Sequence, residues 1–89
     1  MKCDRARQIL LNGKTFNAIE AVDFEISRAR AKHPTNQHLL AALVEEVGEL
    51  AKELLDNGNS EHAKTEAMHV ACVAIRIMTE GDSDFGGAA

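Results

Sequence analysis

Five side chains in this sequence have the types and spacing to hold a cation: Glu45, Glu46, Glu49, Glu66 and His69. On a helical wheel, Glu45, Glu49 and Glu46 fall at roughly 0°, 40° and 100°. Leu39 and Leu50 follow at roughly 120° to 140°, so the acids border an apolar stripe instead of facing away from it. Glu53 continues that edge one turn on. Glu66 is in line with Val70, Val73 and Ile77, which sets a carboxylate in an apolar seam, and His69 stands at its edge. A buried, unpaired carboxylate costs several kcal/mol or shifts its pKa. Two carboxylates about 5 Å apart repel by roughly 3 kcal/mol at an effective dielectric of about 20. A divalent cation removes that repulsion and gives a reason for the placement. An acidic helix edge without Glu66 would read as a solvated face, with Lys52 and Lys64 supplying weak surface ion pairs.

Three helices must position these groups. The first is expected from about Asn17 to Lys32, capped by Asn17 with Glu20 at the capping-box position and stopped by Pro34. The second is expected from about Asn36 to Asp56, with Leu39, Leu43, Val47, Leu50 and Leu54 as its core stripe. Asn57-Gly58 ends it. The third begins after Ser60, a favoured cap residue, and ends at Glu80 before Gly81. From Ala67 to Met78 it is apolar on nearly every side, so it needs neighbours all round. These features predict an all-α fold: a helical hairpin with an N-terminal helix, forming a four-helix-bundle-type core completed by oligomerisation, most simply a homodimer with the third helix between subunits. The N-terminal extension, 1–16, is ambiguous: Asp4–Leu11 could form a short helix ended by Asn12-Gly13; the tail 81–89 is expected to be disordered, with Phe85 its one anchor.

Length and composition set the outer bounds. The chain has 89 residues, one small domain with a marginal core. Cys3 and Cys72 are too few for a disulfide scaffold and suit a reducing, cytoplasmic setting. The first residues have no signal-peptide pattern, and no apolar run is long enough to span a membrane. The net charge is −4 with no basic tract, which disfavours nucleic acid as a partner. Residues 45–66 carry seven acidic and two basic side chains, so an anionic substrate would need cations to approach them. His62, His69 and Cys72 lie near one helical face, but their spacing matches no common zinc motif. His33 and His38 flank the turn after the first helix and are expected to be exposed.

The segment LVEEVGELAKELL, followed by EAMHVACVAIRIMTEGD, resembles the MazG-like branch of the all-α nucleoside triphosphate pyrophosphohydrolases. The family pattern is E-E-x-x-E on one helix and E-x-x-D on the next. Glu45-Glu46-Val47-Gly48-Glu49 matches the first part, and Glu66-Ala67-Met68-His69 matches the second except at its last position. The likeness extends from about Ile19 to Asp82. It implies hydrolysis of a nucleoside triphosphate to the monophosphate and pyrophosphate, with Mg2+ as cofactor. It also implies Glu46, Glu49 and Glu66 as metal ligands, with His69 in the remaining position, and Glu45 orienting or deprotonating water. Arg76 is a candidate phosphate contact, or else an ion-pair member at the bundle end. His69 replaces an acid, and imidazole suits Mn2+ better than Mg2+. A relative that binds nucleotide or metal without turnover, or a helical interaction module, are the alternative expectations.

Overall fold

A computed structural model describes residues 15–86 of the chain. Three helices carry the fold: α1 (Thr15–Lys32), α2 (Leu39–Asn57) and α3 (Glu61–Glu80), followed by a 3-10 turn at Ser83–Phe85. No strand occurs among the described residues, and no helix is long and apolar enough to cross a membrane. The expected helix at Asp4–Leu11, and Cys3, lie outside the described residues.

Each terminus has a chemical cause. Asn17 is inside α1, so it does not cap that helix. Arg30 and Lys32 complement the C-terminal dipole of α1, and Pro34 follows. α2 starts at Leu39, later than expected, because His38 adopts a left-handed conformation (φ 62°) and makes no side-chain cap. Its orphan donor is satisfied from far along the chain: the Leu40 amide donates to Asp82 Oδ2 at 2.7 Å. Gly58 closes α2 at φ 64°, which favours glycine, and its amide returns to the Leu54 carbonyl. Ser60 caps α3 as expected, accepting from the Ala63 amide at 3.0 Å.

α3 is the middle of the molecule. α1 and α2 each pack against it and not against each other. Ala21 and Ile26 from α1 meet Met68 and Cys72 from α3, with Val22, Phe24 and Ile75 around them. The Cys72 thiol faces the Val22 carbonyl, and burial pushes its pKa up to about 12, so it is a packing group and no thiolate ligand. Within one chain α3 buries Met68 and Cys72, while Val70, Val73, Ile75 and Ile77 are half-buried and Met78 is exposed. Large exposed apolar side chains occur on all three helices, Phe16 and Ile19 on α1 and Met78 on α3, and most of them are on α2. Leu39 is buried, and Leu43 and Leu50 are half-buried against α3. Val47 and Leu54, expected in the same stripe, are exposed with Leu40, Val44 and Leu55. α2 is apolar over a wider arc than one neighbour can cover.

Polar contacts tie residues 81–86 to the start of α2. Asp82 accepts from the amides of Leu40 and Asp84, which hold its carboxyl below the usual range. The Ser83 amide donates to the Asn36 carbonyl at 3.3 Å, and the His38 ring meets Asp84 at 2.6 Å. Phe85, the expected anchor, is exposed; polar caps supply the attachment.

Glu80 joins three elements at the end of the bundle. Arg76 of α3 binds it through Nε (3.0 Å) and Nη2 (2.9 Å), and Arg30 of α1 through Nε at 2.7 Å. Arg76 also donates to the Thr35 carbonyl in the loop before α2. The hydrogen bond from Arg76, reinforced by Arg30, lowers the Glu80 pKa from 4.5 to about 2. A depressed carboxyl stabilises the fold fully above its unfolded pKa, and that contribution is lost as pH falls through the folded value. Thermal melts between pH 4.5 and 2 should therefore show declining stability, and Glu80→Gln should give a shallower acid limb than the parent chain.

Candidate metal centre

The α2–α3 hairpin brings four of the five candidate side chains to one seam and sets the fifth beside them. Glu46, Glu66 and His69 offer ligand atoms within 4.8 Å of one another, and so do Glu45, Glu46 and Glu49. Glu46 is thus common to both groups. It reaches α3 because it shares the face of α2 that carries Leu39, Leu43 and Leu50. His69 Nδ1 lies 3.2 Å from Glu46 Oε2 and 3.6 Å from Glu66 Oε2, bridging the two helices. Glu49 lines a cleft of about 400 Å3 with Glu53, His62 and Glu66, and Lys52 lies at the same cleft, paired with Asp56 at 3.1 Å. Glu45 is exposed beside them.

Glu66 is the least ordinary of these groups. Its side chain is 9% exposed, and Oε2 has no hydrogen-bond partner. Such an oxygen carries a desolvation cost of about 1–3 kcal/mol, more if charged. The donor set fits a cation: two carboxylates and one imidazole converge at Glu46, Glu66 and His69, three carboxylates at Glu45, Glu46 and Glu49, and one buried oxygen has an unused lone pair. Burial raises the pKa of Glu46; the Glu66, Glu49 and Glu45 charges raise it further, against the opposing pull of His69.

Two further residues join the site. His62 Nε2 lies 3.3 Å from Glu66 Oε1, one turn before it on α3, and His62 Nδ1 meets Glu53 Oε1 at 3.1 Å. The sequence signal for His62 is its i, i+4 relation to Glu66, which places both on one face. Arg76 is not brought to the acids: it is buried, and its guanidinium is taken up by Glu80 and Thr35, the ion-pair role at the bundle end. Cys72 sits in the α1–α3 core, apart from the acid groups. A larger concavity of about 690 Å3 between α1 and α3 is lined by Phe16, Ile19, Val22, Ile26 and Ile75 among others; it is apolar and has no cation-binding set, so size does not mark the chemistry here.

Compared with family models, curated proteins and solved structures, the chain has no match.

A carboxylate with a raised pKa is one whose charged form works against the fold. In metal-free buffer near neutral pH, Glu46→Gln should melt at the same temperature as the parent or higher, because it removes a charge repelled by three neighbours. A large drop in melting temperature would mark Glu46 as a structural ion-pair member.

Proposed function

We propose that this protein is a divalent-metal-dependent nucleoside triphosphate pyrophosphohydrolase. The observation that carries the reading is Glu66: a nearly buried carboxylate with an unpartnered oxygen, grouped with Glu46 and His69 and sharing a cleft with Glu49. A cluster of like charges around such a group is costly to a small protein unless a cation belongs there. The match of Glu45-Glu46-x-x-Glu49 and Glu66 to the pyrophosphohydrolase pattern supplies the reaction class.

In this reading Glu46, Glu49, Glu66 and His69 hold the metal. The bound cation would neutralise the triphosphate and polarise the α phosphorus. Glu45, exposed beside Glu46 and Glu49, orients the attacking water and accepts its proton. The α–β anhydride bond breaks, and the monophosphate and pyrophosphate leave. His69 supplies a neutral nitrogen where the pattern has an anionic oxygen, so the site favours Mn2+ over Mg2+. That same change favours a second reading, a relative that binds metal and nucleotide without turning over.

Pyrophosphate release across a nucleoside triphosphate panel, with Mg2+ and Mn2+ in parallel, tests both. The expected result is turnover that is faster with Mn2+. His69→Asp should narrow the difference between the metals. Glu49→Gln and Glu66→Gln should each lower kcat roughly a hundredfold or more, and the double variant little further, because the ligands act as a unit. Stoichiometric metal binding with no pyrophosphate from any triphosphate would favour the second reading.

The exposed face of α2 supports assembly. Leu40, Val44, Val47 and Leu54 repeat at 4-3-7 spacing, with Ala51 filling the gap, which is the seam of two packed helices. Burying one Leu or Val fully is worth about 1.5–3 kcal/mol, and Val44 remains 65% exposed. A homodimer joined along α2 would complete a four-helix core. Sedimentation equilibrium should find a dimer or larger species at micromolar concentration, and Val44→Glu with Val47→Glu should yield a monomer; a folded parent monomer would refute the assembly.

A further inference from the structure

The apolar groove between α1 and α3 is separate from the acid seam and shares none of its residues. Ile26 is buried in it, and Val22 and Ile75 line it half-buried. Phe16 and Ile19 stand over it 76% and 64% exposed. Large apolar side chains that adjoin in this way mark a contact surface. The rim of the groove is acidic. Glu20 and Asp23 are exposed there, and neither pairs with a described cationic side chain. An occupant that suits the groove is therefore apolar on one face and basic at its edges.

The chain carries a segment of that chemistry beside the groove. Thr15 starts α1 and lines the groove, so the preceding residues, 1–14, join the fold at its mouth. They hold the apolar run Ile9-Leu10-Leu11 and four basic side chains, Lys2, Arg5, Arg7 and Lys14, against one acid, Asp4. Asn12-Gly13 is a turn-forming pair, and a reversal there sets the segment antiparallel to α1. Position 9 then falls opposite 19, and position 5 opposite 23. In helical register Ala6, Ile9 and Leu10 share one arc, with Arg5 and Arg7 at its two edges. Residues 5–11 would cover about 10 Å, within the roughly 15 Å of α1 from Phe16 to Ile26. A second copy presenting the same groove is a poorer occupant, because its own Glu20 and Asp23 would meet these.

We infer that the groove between α1 and α3 is the docking site of this chain's own residues 5–11, turned back at Asn12-Gly13. Ile9 and Leu10 cover Phe16 and Ile19, and Arg5 and Arg7 meet Asp23 and Glu20 on the rim. Among the described helices α1 touches α3 alone, so the segment supplies its second neighbour.

The full chain accepts a probe at the head of the segment. The Cys72 thiol is buried, with its pKa pushed up to about 12, so a thiol-reactive nitroxide at neutral pH labels Cys3. Nitrogen-15 amide spectra are recorded before and after reduction of the nitroxide. Amides of residues 20–26 and 71–75 should be broadened by the label, and those of residues 53–57, at the far end of α2, should not. A mixture of nitroxide-labelled chain with unlabelled nitrogen-15 chain should show no broadening at residues 20–26. Arg5→Glu with Arg7→Glu should abolish the broadening, and adding Glu20→Arg with Asp23→Arg should restore it. A parent with no broadening at residues 20–26 would overturn the docking and leave the groove to another occupant. Broadening seen in the mixture would also overturn it, because the groove then takes the segment of a second copy.

Discussion

A carboxylate held out of water without enough donors is the constraint around which this hairpin is arranged. Glu66 has nine-tenths of its side chain covered by α2 and α3, and one of its oxygens has no donor. The protein has cationic side chains and uses them elsewhere. Arg28 pairs with Glu25, itself 2% exposed on α1, and Arg76 with Glu80 at the far end of α3. Those pairs join a carboxylate to a guanidinium, which never gives up its charge and binds in a fixed fork. At the seam the neighbours are imidazoles instead. An imidazole can be neutral, and it can ligate. The same small chain thus builds two kinds of acid environment, one paired with guanidinium groups and one set beside imidazoles.

Positioning of the seam depends on the turn between the helices as much as on the helices. Gly58 reverses the chain, Ser60 caps α3, and the Ser60 hydroxyl also donates to Glu53. Glu53 then orients His62, which approaches Glu66. The N-terminal end of α2 is held from the opposite direction, by Asp82 on the Leu40 amide. α2 is therefore anchored at both ends by polar contacts that lie outside its own interior. This matters because its apolar attachment is thin: Leu39 is its one buried residue.

Local signals in the sequence reach far in a chain of this kind. The caps at Ser60 and Gly58, the stop before Gly81, and the pairing of Glu66 with His69 on one face all follow from neighbours within a turn or two, and the short hairpin turn then brings Glu46 to them. Features set by distant residues were not legible. Asp82 capping Leu40 joins positions 42 residues apart, and nothing in the tail's composition announces it. The rotation of α2 was likewise hidden. Its apolar arc is wide enough to accept Val47 and Leu54 as core, and only the position of α3 decides that Leu43 and Leu50 turn inward while Val47 faces out. The apolar surround of α3 is shared in part by α1 and α2 of its own chain, which leave Val70, Val73 and Ile77 half-buried and Met78 exposed.

The two faces of α2 are mechanically coupled. One face carries Glu46 and Glu53 toward α3, interleaved with Leu39, Leu43 and Leu50; the other carries the uncovered Leu40, Val44, Val47 and Leu54. Acids on the first face push α2 away from Glu66, by roughly 3 kcal/mol for a pair about 5 Å apart at a dielectric of about 20. A single buried leucine worth about 1.5–3 kcal/mol is a weak opponent to that repulsion. Two influences would hold the helix in place: a cation between the carboxylates, or a partner packed on the outer face. Each acts on the same degree of freedom, the distance and rotation of α2 against α3. Assembly along the outer face would thereby fix the spacing of the carboxylates, and a bound cation would in turn favour the assembled form, since linkage between two sites is reciprocal.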